Sequence, residues 1–354
     1  MELSSHLAHE LSRDLLAWYD AHARDLPWRQ KPGTKRAPDP YRIWLSEIML
    51  QQTRVAAVIE HYHEFLRRFP TVQKLAAARE SGVLAAWSGL GYYRRARMLH
   101  QAAKRIVREG AGRFPETADA WREFPGIGRY TASAISSIAF NQPVAVVDGN
   151  VERVLQRITG TRLSGEELWH AAQDLLDPRR PGDFNQAMME LGATVCTPRA
   201  PTCLTCPVLD FCATRGELAS AARPERQQKR EVHYALCLRD RSVYLTQRPR
   251  DASLMGGMWE LPEILAPGWG GNEKQIPRSA RNDKPEVLDA RPLFTLRHSI
   301  TVTDYTVRVW TQTAPPETPG QWIAIERLNK IALTGLARKI LRKAEMIARL
   351  KPAV

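Results

Sequence analysis

Phe124-Pro125-Gly126-Ile127-Gly128-Arg129-Tyr130-Thr131-Ala132, closed further on by Val146-Val147-Asp148-Gly149-Asn150, is the stretch that decides how this chain is read. Thr117 can cap a short helix running from Ala118 to Glu123. Pro125 and the two glycines after it form a tight turn, because glycine accepts positive φ and lets another backbone come close. A second helix follows, with Ile135, Ile138 and Ala139 on its apolar face. A glycine turn at a helix start points N–H groups outward without intrahelical partners, which is a ready phosphate site. The same residues also describe a plain helical corner with no ligand. Asp148 carries two compatible readings. It precedes a helix bearing Val151, Val154, Leu155 and Ile158, so it can serve as an N-cap. A helix N-terminus also keeps a carboxylate ionised, which a cation-stabilising group requires.

Outward from this unit, 354 residues leave room for two domains. Lys and Arg number 51 against 38 Asp and Glu, and the net charge of +13 suits a polyanionic partner, nucleic acid first. No apolar run is long enough to span a bilayer. Glu2, Glu10, Asp14 and Asp20 interrupt the apolar residues of the N-terminus, against a signal or transit peptide. Leu7, Leu11, Leu15 and Trp18 have helical spacing instead. The expectation is a cytoplasmic, nucleoid-associated protein with no membrane partner.

Apolar residues recur at helical spacing up to about residue 195, with turn signals at Pro70-Thr71, Ser88-Gly89, Gly110-Ala111-Gly112 and Pro178-Arg179-Arg180-Pro181-Gly182. Residues 1–215 are therefore expected to form a helical domain. The polar, charged segment 216–231 reads as a linker. Beyond it the period changes. His233 to Leu238, Val243 to Gln247, Leu293 to Leu296 and Ile300 to Trp310 read as strands, and about Thr334 to Leu350 as a terminal helix, giving an α+β domain over 232–354. Residues 267–286 are polar and rich in Gly, Arg, Asn and Lys, and read as a disordered or variable loop.

Four of the five cysteines fall in the pattern Cys196-x6-Cys203-x2-Cys206-x5-Cys212. Disulfides are unusual in a cytosolic chain, so a metal is favoured. Zinc and a [4Fe–4S] cluster both accept four thiolates. Zinc ribbons more often use two Cys-x2-Cys pairs, and one pair here has that spacing. Cys237, in an expected strand, reads as a small core residue.

A carboxylate stands in an apolar helix: Glu47 lies among Trp44, Ile48 and Leu50. Burial there raises its pKa, as a general acid at neutral pH needs. Taken alone, it reads equally as an exposed Glu on a polar stripe.

Three motifs change the balance: Leu45-Ser46-Glu47-Ile48-Met49-Leu50-Gln51-Gln52-Thr53, Leu90-Gly91-Tyr92-Tyr93 and Asn185-Gln186-Ala187-Met188-Met189-Glu190-Leu191-Gly192. With the Gly/Pro hairpin, its downstream Asp148 and the cysteine spacing, they resemble the MutY-type adenine DNA glycosylases of the helix-hairpin-helix superfamily, over residues from about 10 to 215. The resemblance implies a multidomain chain. An all-α helix-hairpin-helix glycosylase with a [4Fe–4S] loop, held by Cys196, Cys203, Cys206 and Cys212, is followed by an α+β Nudix-like domain. The implied activity is monofunctional hydrolysis of the N-glycosidic bond of adenine mispaired with 8-oxoguanine or guanine, by a monomer acting on double-stranded DNA.

The implied roles follow by position. Glu47 matches the acid that protonates adenine N7, and Asp148 the carboxylate that stabilises the oxocarbenium-like sugar. Tyr130 stands where bifunctional relatives carry the Schiff-base lysine, and would support Asp148. Asn150 matches a group that orients the catalytic carboxylates. Leu26, Trp28, Arg29 and Gln186 match the pocket around the extruded adenine. Gln52 and Tyr92 match residues wedged into the duplex, and Leu50 and Thr53 lie beside the opposite base. Gly126 and Gly128 belong to the hairpin that grips the DNA backbone, and the cysteine loop would hold Arg199 against a phosphate. In the second domain Gly256-Gly257-Met258-Trp259-Glu260-Leu261-Pro262 is the recognisable piece, and the Gly-x5-Glu-x7-Arg-Glu-x-x-Glu-Glu box of Nudix hydrolases is not in the sequence. Binding of 8-oxoguanine is therefore expected there rather than pyrophosphate hydrolysis. The family often has Phe-Ser-His in the contacting loop; the comparable stretch reads Leu296-Arg297-His298-Ser299, making Arg297, His298 and Ser299 the candidate contacts. Arg donates to O6 and N7 of guanine, whereas 8-oxoguanine carries a hydrogen at N7. Two other functions compete. An endonuclease III-like glycosylase/lyase is disfavoured by the missing lysine at 130 and by the extra domain. A non-catalytic DNA-lesion sensor is disfavoured by the presence of both Glu47 and Asp148.

Overall fold

Why Glu47 is enclosed is visible in the build of its helix. Asp39 caps α2 (Pro40–Leu50) by accepting from the Tyr41 and Arg42 amides, and Pro40 starts the helix where no donor is needed. Tyr41, Ile43, Trp44, Leu45, Ser46, Glu47, Ile48 and Met49 are all buried, so this helix has almost no polar stripe. In this computed structural model residues 5–30, 37–216, 218, 228–252, 255–265, 291–300 and 303–346 are described. The chain divides into two compact units, Met1–Ala77 with Met98–Ala221 and Ala78–Arg97 with Ala222–Val354.

The first unit is helical. α1 (Ser5–His22) buries Leu11 and Leu15 against α9 (Gly149–Thr159), α10 (Gly165–Leu175) and α11 (Pro181–Thr194), around Val154, Leu155, Leu168 and Leu191. α3 (Val55–Arg68) and α4 (Val72–Ala77) follow α2, and α6 (Tyr93–Gly110) enters this unit from Met98 onward. The hairpin is α7 (Ala118–Arg122), a turn, and α8 (Arg129–Phe140). Thr117 Oγ1 accepts from the Ala120 amide at 3.2 Å, the cap that the sequence predicts. Gly126 takes φ +79° and faces Met98, where an added Cβ would stand 2.7 Å from the Met98 Cβ. Gly128 is the N-cap of α8, and Asn141 ends that helix in the left-handed region. Asn185 of α11, itself buried, ties the segment leading to Asp148. It accepts from the Val146 amide and donates to the Ser137 hydroxyl and the Val144 carbonyl.

The second unit contains a mixed sheet. Its strands are β1 (Gln228–Arg239), β2 (Ser242–Gln247), β3 (Trp259–Glu260), β4 (Glu263–Ile264), β5 (Phe294–Ile300), β6 (Thr303–Gln312) and β7 (Gly320–Ala324). The order is β3-β2-β1-β6-β5, with β4 on β1 and β7 on β2. β1 and β6 run parallel, and the other pairs are antiparallel. α12 (Gly335–Lys343), capped by Thr334, buries Leu336, Ile340 and Leu341 beside Val243, Leu245 and Val307. α5 (Glu80–Trp87) belongs here too. Ser88 and Tyr93 each donate a hydroxyl to the Leu333 carbonyl, at 3.0 and 2.9 Å, and Arg338 donates to Ser88 at 2.9 Å.

Residues 78–97, read from the sequence as part of the helical domain, thus group with the second unit, held by bonds to residues some 240 positions away that no local pattern reveals. β1 begins at Gln228, so 228–231 are strand where a linker is expected, because ten residues of β6 pair with it from Thr303 onward. α12 ends at Lys343, short of the expected Leu350. The expected loop 267–286 lies outside the described residues. Among the described residues, no helix is long and apolar enough to cross a membrane.

Candidate active site

A cleft of about 320 Å³ opens in the first unit between α2, α8, α11, the start of α9 and the segment after α1. Both Glu47 and Asp148 line it, and so do Tyr130 and Asn150. Burial pushes the Glu47 carboxyl up to about 7; the charge of Asp148 adds to the rise, while Tyr130 and Arg29 oppose it. The Tyr130 hydroxyl donates to Glu47 Oε2 at 2.9 Å. Burial raises the Tyr130 phenol well above its usual value, so it stays a neutral donor. The sequence reading gives Tyr130 to Asp148. The hydrogen bond goes to Glu47 instead, because α2 and α8 pack face to face and bring the two side chains together.

Asp148 is fixed by its own helix. Oδ1 accepts from the Asn150 and Val151 amides, both at 2.8 Å, and Oδ2 from Asn150 Nδ2 at 3.0 Å. The N-cap and the candidate functional carboxylate are thus one group, and Asn150 orients it. Arg153 holds Asn150 in turn, donating to its Oδ1 at 2.9 Å and to the carbonyls of Gly192 and Cys196 at 2.7 and 2.8 Å. Gly192 leaves room for this arrangement, since a Cβ there would meet the Asn150 Cβ at 2.6 Å.

Leu26, Trp28, Arg29, Gln186, Leu50, Gln52 and Thr53 line the same cleft, as expected of a base pocket and its rim. Gln52 sits just past α2 with φ +54°, in a turn closed by the Thr53 amide on the Leu50 carbonyl. Gly126 and Gly128 are exposed on the hairpin rather than in the cleft. Tyr92, half-exposed at φ +46°, belongs to the second unit.

Arg297, His298 and Ser299 also lie in the second unit, and not in a loop. They are mid-strand residues of β5, paired with Thr306, Tyr305 and Asp304 of β6. The Arg297 carbonyl accepts from Lys339 Nζ at 2.5 Å. Burial first, then the Lys339 charge, lowers the His298 imidazole from its usual value. The loop reading fails because the strand depends on pairing with β6, which a local turn signal does not register.

Cys196, Cys203, Cys206 and Cys212 are all partly buried. Burial raises Cys206 to about 11, a hydrogen bond from the Val208 amide opposes it, and the charges of Cys196, Cys212 and Cys203 add to the rise. Buried Arg157 donates to Cys196 Sγ at 3.3 Å and to the Thr197 carbonyl at 2.8 Å, and the Arg215 amide donates to Cys212 Sγ at 3.4 Å. Among the described residues, no three His, Cys, Asp or Glu side chains are grouped as a metal-ion site. Cys237 is fully buried in β1.

Two cleft groups escape the sequence reading. Glu190, whose side chain is fully buried, accepts from Arg24 Nε and Nη2 at 2.5 and 2.8 Å and from Arg29 Nη2 at 2.8 Å. The signal is present for Glu190. Gln186, Met189, Glu190 and Ala193 recur at helical spacing and share the cleft face of α11. Arg24 carries no comparable signal.

Comparison with known proteins adds an independent line. The family model for HhH-GPD superfamily base excision DNA repair proteins matches residues 45–177, and a NUDIX domain model matches residues 233–343. The chain is 36% identical over 402 aligned positions to the adenine DNA glycosylase of Mus musculus, covering 94% of this chain and 77% of that protein. It is 35% identical over 400 positions to the adenine DNA glycosylase of Homo sapiens, covering 93% and 72% respectively. A thermostable thymine-DNA glycosylase structure superposes with a TM-score of 0.54 at 28% identity, over 59% of this chain and 96% of that one.

Proposed function

The chain belongs to the adenine DNA glycosylase family, and from that premise we propose that it hydrolyses the N-glycosidic bond of adenine mispaired with 8-oxoguanine or guanine in double-stranded DNA. The observation that carries the reading is the pair of carboxyl groups in one cleft, Glu47 enclosed and Asp148 held by helix amides. Adenine leaves poorly until it is protonated, so an acid must reach the base. Positive charge then develops on the sugar, so an anion must face it. Glu47 has the environment of the acid, since burial favours its protonated form near neutral pH. Asp148 has that of the anion, accepting three N–H donors at a helix start. The base has to leave the stack before either group acts. Leu26, Trp28, Arg29 and Gln186 supply the walls for it, and Gln52 at the rim supplies a wedge. A tyrosine at position 130 forms no Schiff base, which supports base excision without strand cleavage.

The second unit supports recognition of the opposite base. It matches a NUDIX domain model, while the sequence carries no carboxylate box for pyrophosphate hydrolysis. The β5–β6 hairpin with Arg297 to Ser299 is the part we assign to 8-oxoguanine. Cys196, Cys203, Cys206 and Cys212 would hold a [4Fe–4S] cluster. The Arg157 guanidinium and the Arg215 amide donate to Cys196 Sγ and Cys212 Sγ, bonds that would stabilise the thiolates formed when a cluster binds. When bound, the cluster supplies a cross-link of the loop that carries exposed Arg199 toward DNA. A brown protein with visible iron–sulfur absorbance is the expected result, and a colourless protein containing zinc is the opposing one.

The test is incubation of a labelled A:8-oxoguanine duplex, with strand breaks expected only after alkali. Glu47→Gln should fold and bind DNA while excision falls by about 10²–10⁴-fold, the usual contribution of one general acid. Normal turnover by this variant ends the reading.

A further inference from the structure

Among the described residues, Glu190 is the one carboxylate lining the cleft with no part in the chemistry above. Its fully buried side chain engages two arginines from the segment after α1, and one of them, Arg29, faces the adenine pocket. Arg29 is itself nearly enclosed and lies over the Tyr19 ring, 5.6 Å from its centroid. Two guanidinium charges thus meet a single carboxylate, leaving one net positive charge in the corner that faces Glu47.

We propose that Glu190 is a positioning residue for adenine excision: its ion pairs with Arg24 and Arg29 hold the Arg29 guanidinium in the cleft and cancel part of its charge beside Glu47, so that the acid keeps its proton. This rests on the reading of Glu47 as the acid. The electrostatic surroundings agree with it. Arg29 pulls the Glu47 carboxyl down against the rise that burial imposes. Burial also raises the carboxyl of Glu190, but the hydrogen bonds and charges of Arg24 and Arg29 outweigh that and hold it below the usual range. Glu190 is therefore an anion throughout the neutral range, as cancelling charge demands.

The other groups facing this corner do not replace it. Tyr130 from α8 and Tyr19 from α1 are phenols raised by burial, and both are neutral there. Asp20 from α1 and Asp183 from α11 are both ion-paired to Arg180. Asp148, at the start of α9, accepts from its own helix and from Asn150. No group but Glu190 among the described residues forms an ion pair with Arg24 or Arg29.

The experiment is the pH–rate profile of single-turnover adenine excision, with enzyme in excess over an A:8-oxoguanine duplex, for four proteins. Wild type should lose rate as pH rises through the Glu47 titration, since the acid form is needed. Glu190→Gln leaves both arginines uncompensated, and a positive field favours the carboxylate. Its alkaline limb should move down by about 0.5–1 pH unit, so that with each profile normalised to its own maximum the rate at pH 8 falls roughly 3–10-fold below that of wild type. Arg24→Met, at a half-exposed position, leaves Glu190 to Arg29 alone, and its limb should move up. Shifts of opposite sign separate field tuning from a loss of structure, which would lower the whole profile without moving it. An unmoved or downward limb in Arg24→Met overturns the proposal even where Glu190→Gln fails to fold. Glu47→Gln, run alongside, keeps the two readings apart. If it excises normally, the acid assignment has failed; if it is inactive while the Glu190→Gln limb coincides with wild type, only the role of Glu190 has.

Discussion

A carboxyl group raised to about 7 by burial costs folding free energy wherever it must ionise. The sign follows from proton counts. Between the unfolded value near 4.5 and the folded value near 7, the native state holds the Glu47 proton more tightly than the unfolded chain does, so stability falls as pH rises through that window. Glu47→Gln lacks this penalty. Thermal melts at pH 4.5, 6 and 8 should show the variant gaining on wild type up to about pH 7 and holding its lead above it, by up to roughly 3 kcal/mol. A constant gap across the three pH values would show that Glu47 is not enclosed. This enclosure was partly legible: the apolar neighbours Trp44, Ile48 and Leu50 are adjacent in the sequence. The partner of Tyr130 was not. Position 130 is marked by its place in the hairpin, but the direction of its hydroxyl follows from the packing of α8 on α2. Glu190 lies within a recognisable motif, but its role is not legible there, because the arginines that disclose it lie more than 160 residues away.

The elements explain how a short segment can serve both folding and chemistry. Asp148 begins α9 and faces the cleft with the same carboxylate, so two substitutions separate the functions. Asn is as good an N-cap as Asp. Asp148→Asn keeps the two amide cap bonds and gives up the one from Asn150 Nδ2, so it should lose about 0.5 kcal/mol in urea unfolding while excision is abolished. Asp148→Ala should lose excision and, in addition, about 1 kcal/mol of stability. Equal destabilisation by both would mean that the cap bonds are not what holds α9. Helix starts such as Thr117 and Asp148 were readable because capping is local chemistry. Strand bounds were less so. β1 reaches back to Gln228 and β5 takes in Arg297 because β6 supplies their hydrogen bonds, and β6 is distant in sequence from β1.

At the scale of the molecule, the motifs sufficed to expect a helical glycosylase followed by a Nudix-like domain, and both family models match accordingly. They did not reveal that residues 78–97 group with the second unit, since that depends on Ser88, Tyr93 and Arg338 meeting near Leu333. A fragment ending at residue 216 should accordingly show rapid amide hydrogen exchange over 78–97 and slow exchange in α9 and α11, while the full chain protects all three. Protection of 78–97 in the fragment would show that these residues need nothing from the C-terminal half. The same bonds impose an order in time. Ser88 leaves the ribosome 245 residues ahead of its acceptor. At about 5–20 residues per second, that is a wait of roughly 10–50 s during synthesis. Throughout it α5 is an unfinished joint in a nascent polypeptide, open to chaperones and proteases, and a premature stop codon late in the message would leave it so permanently.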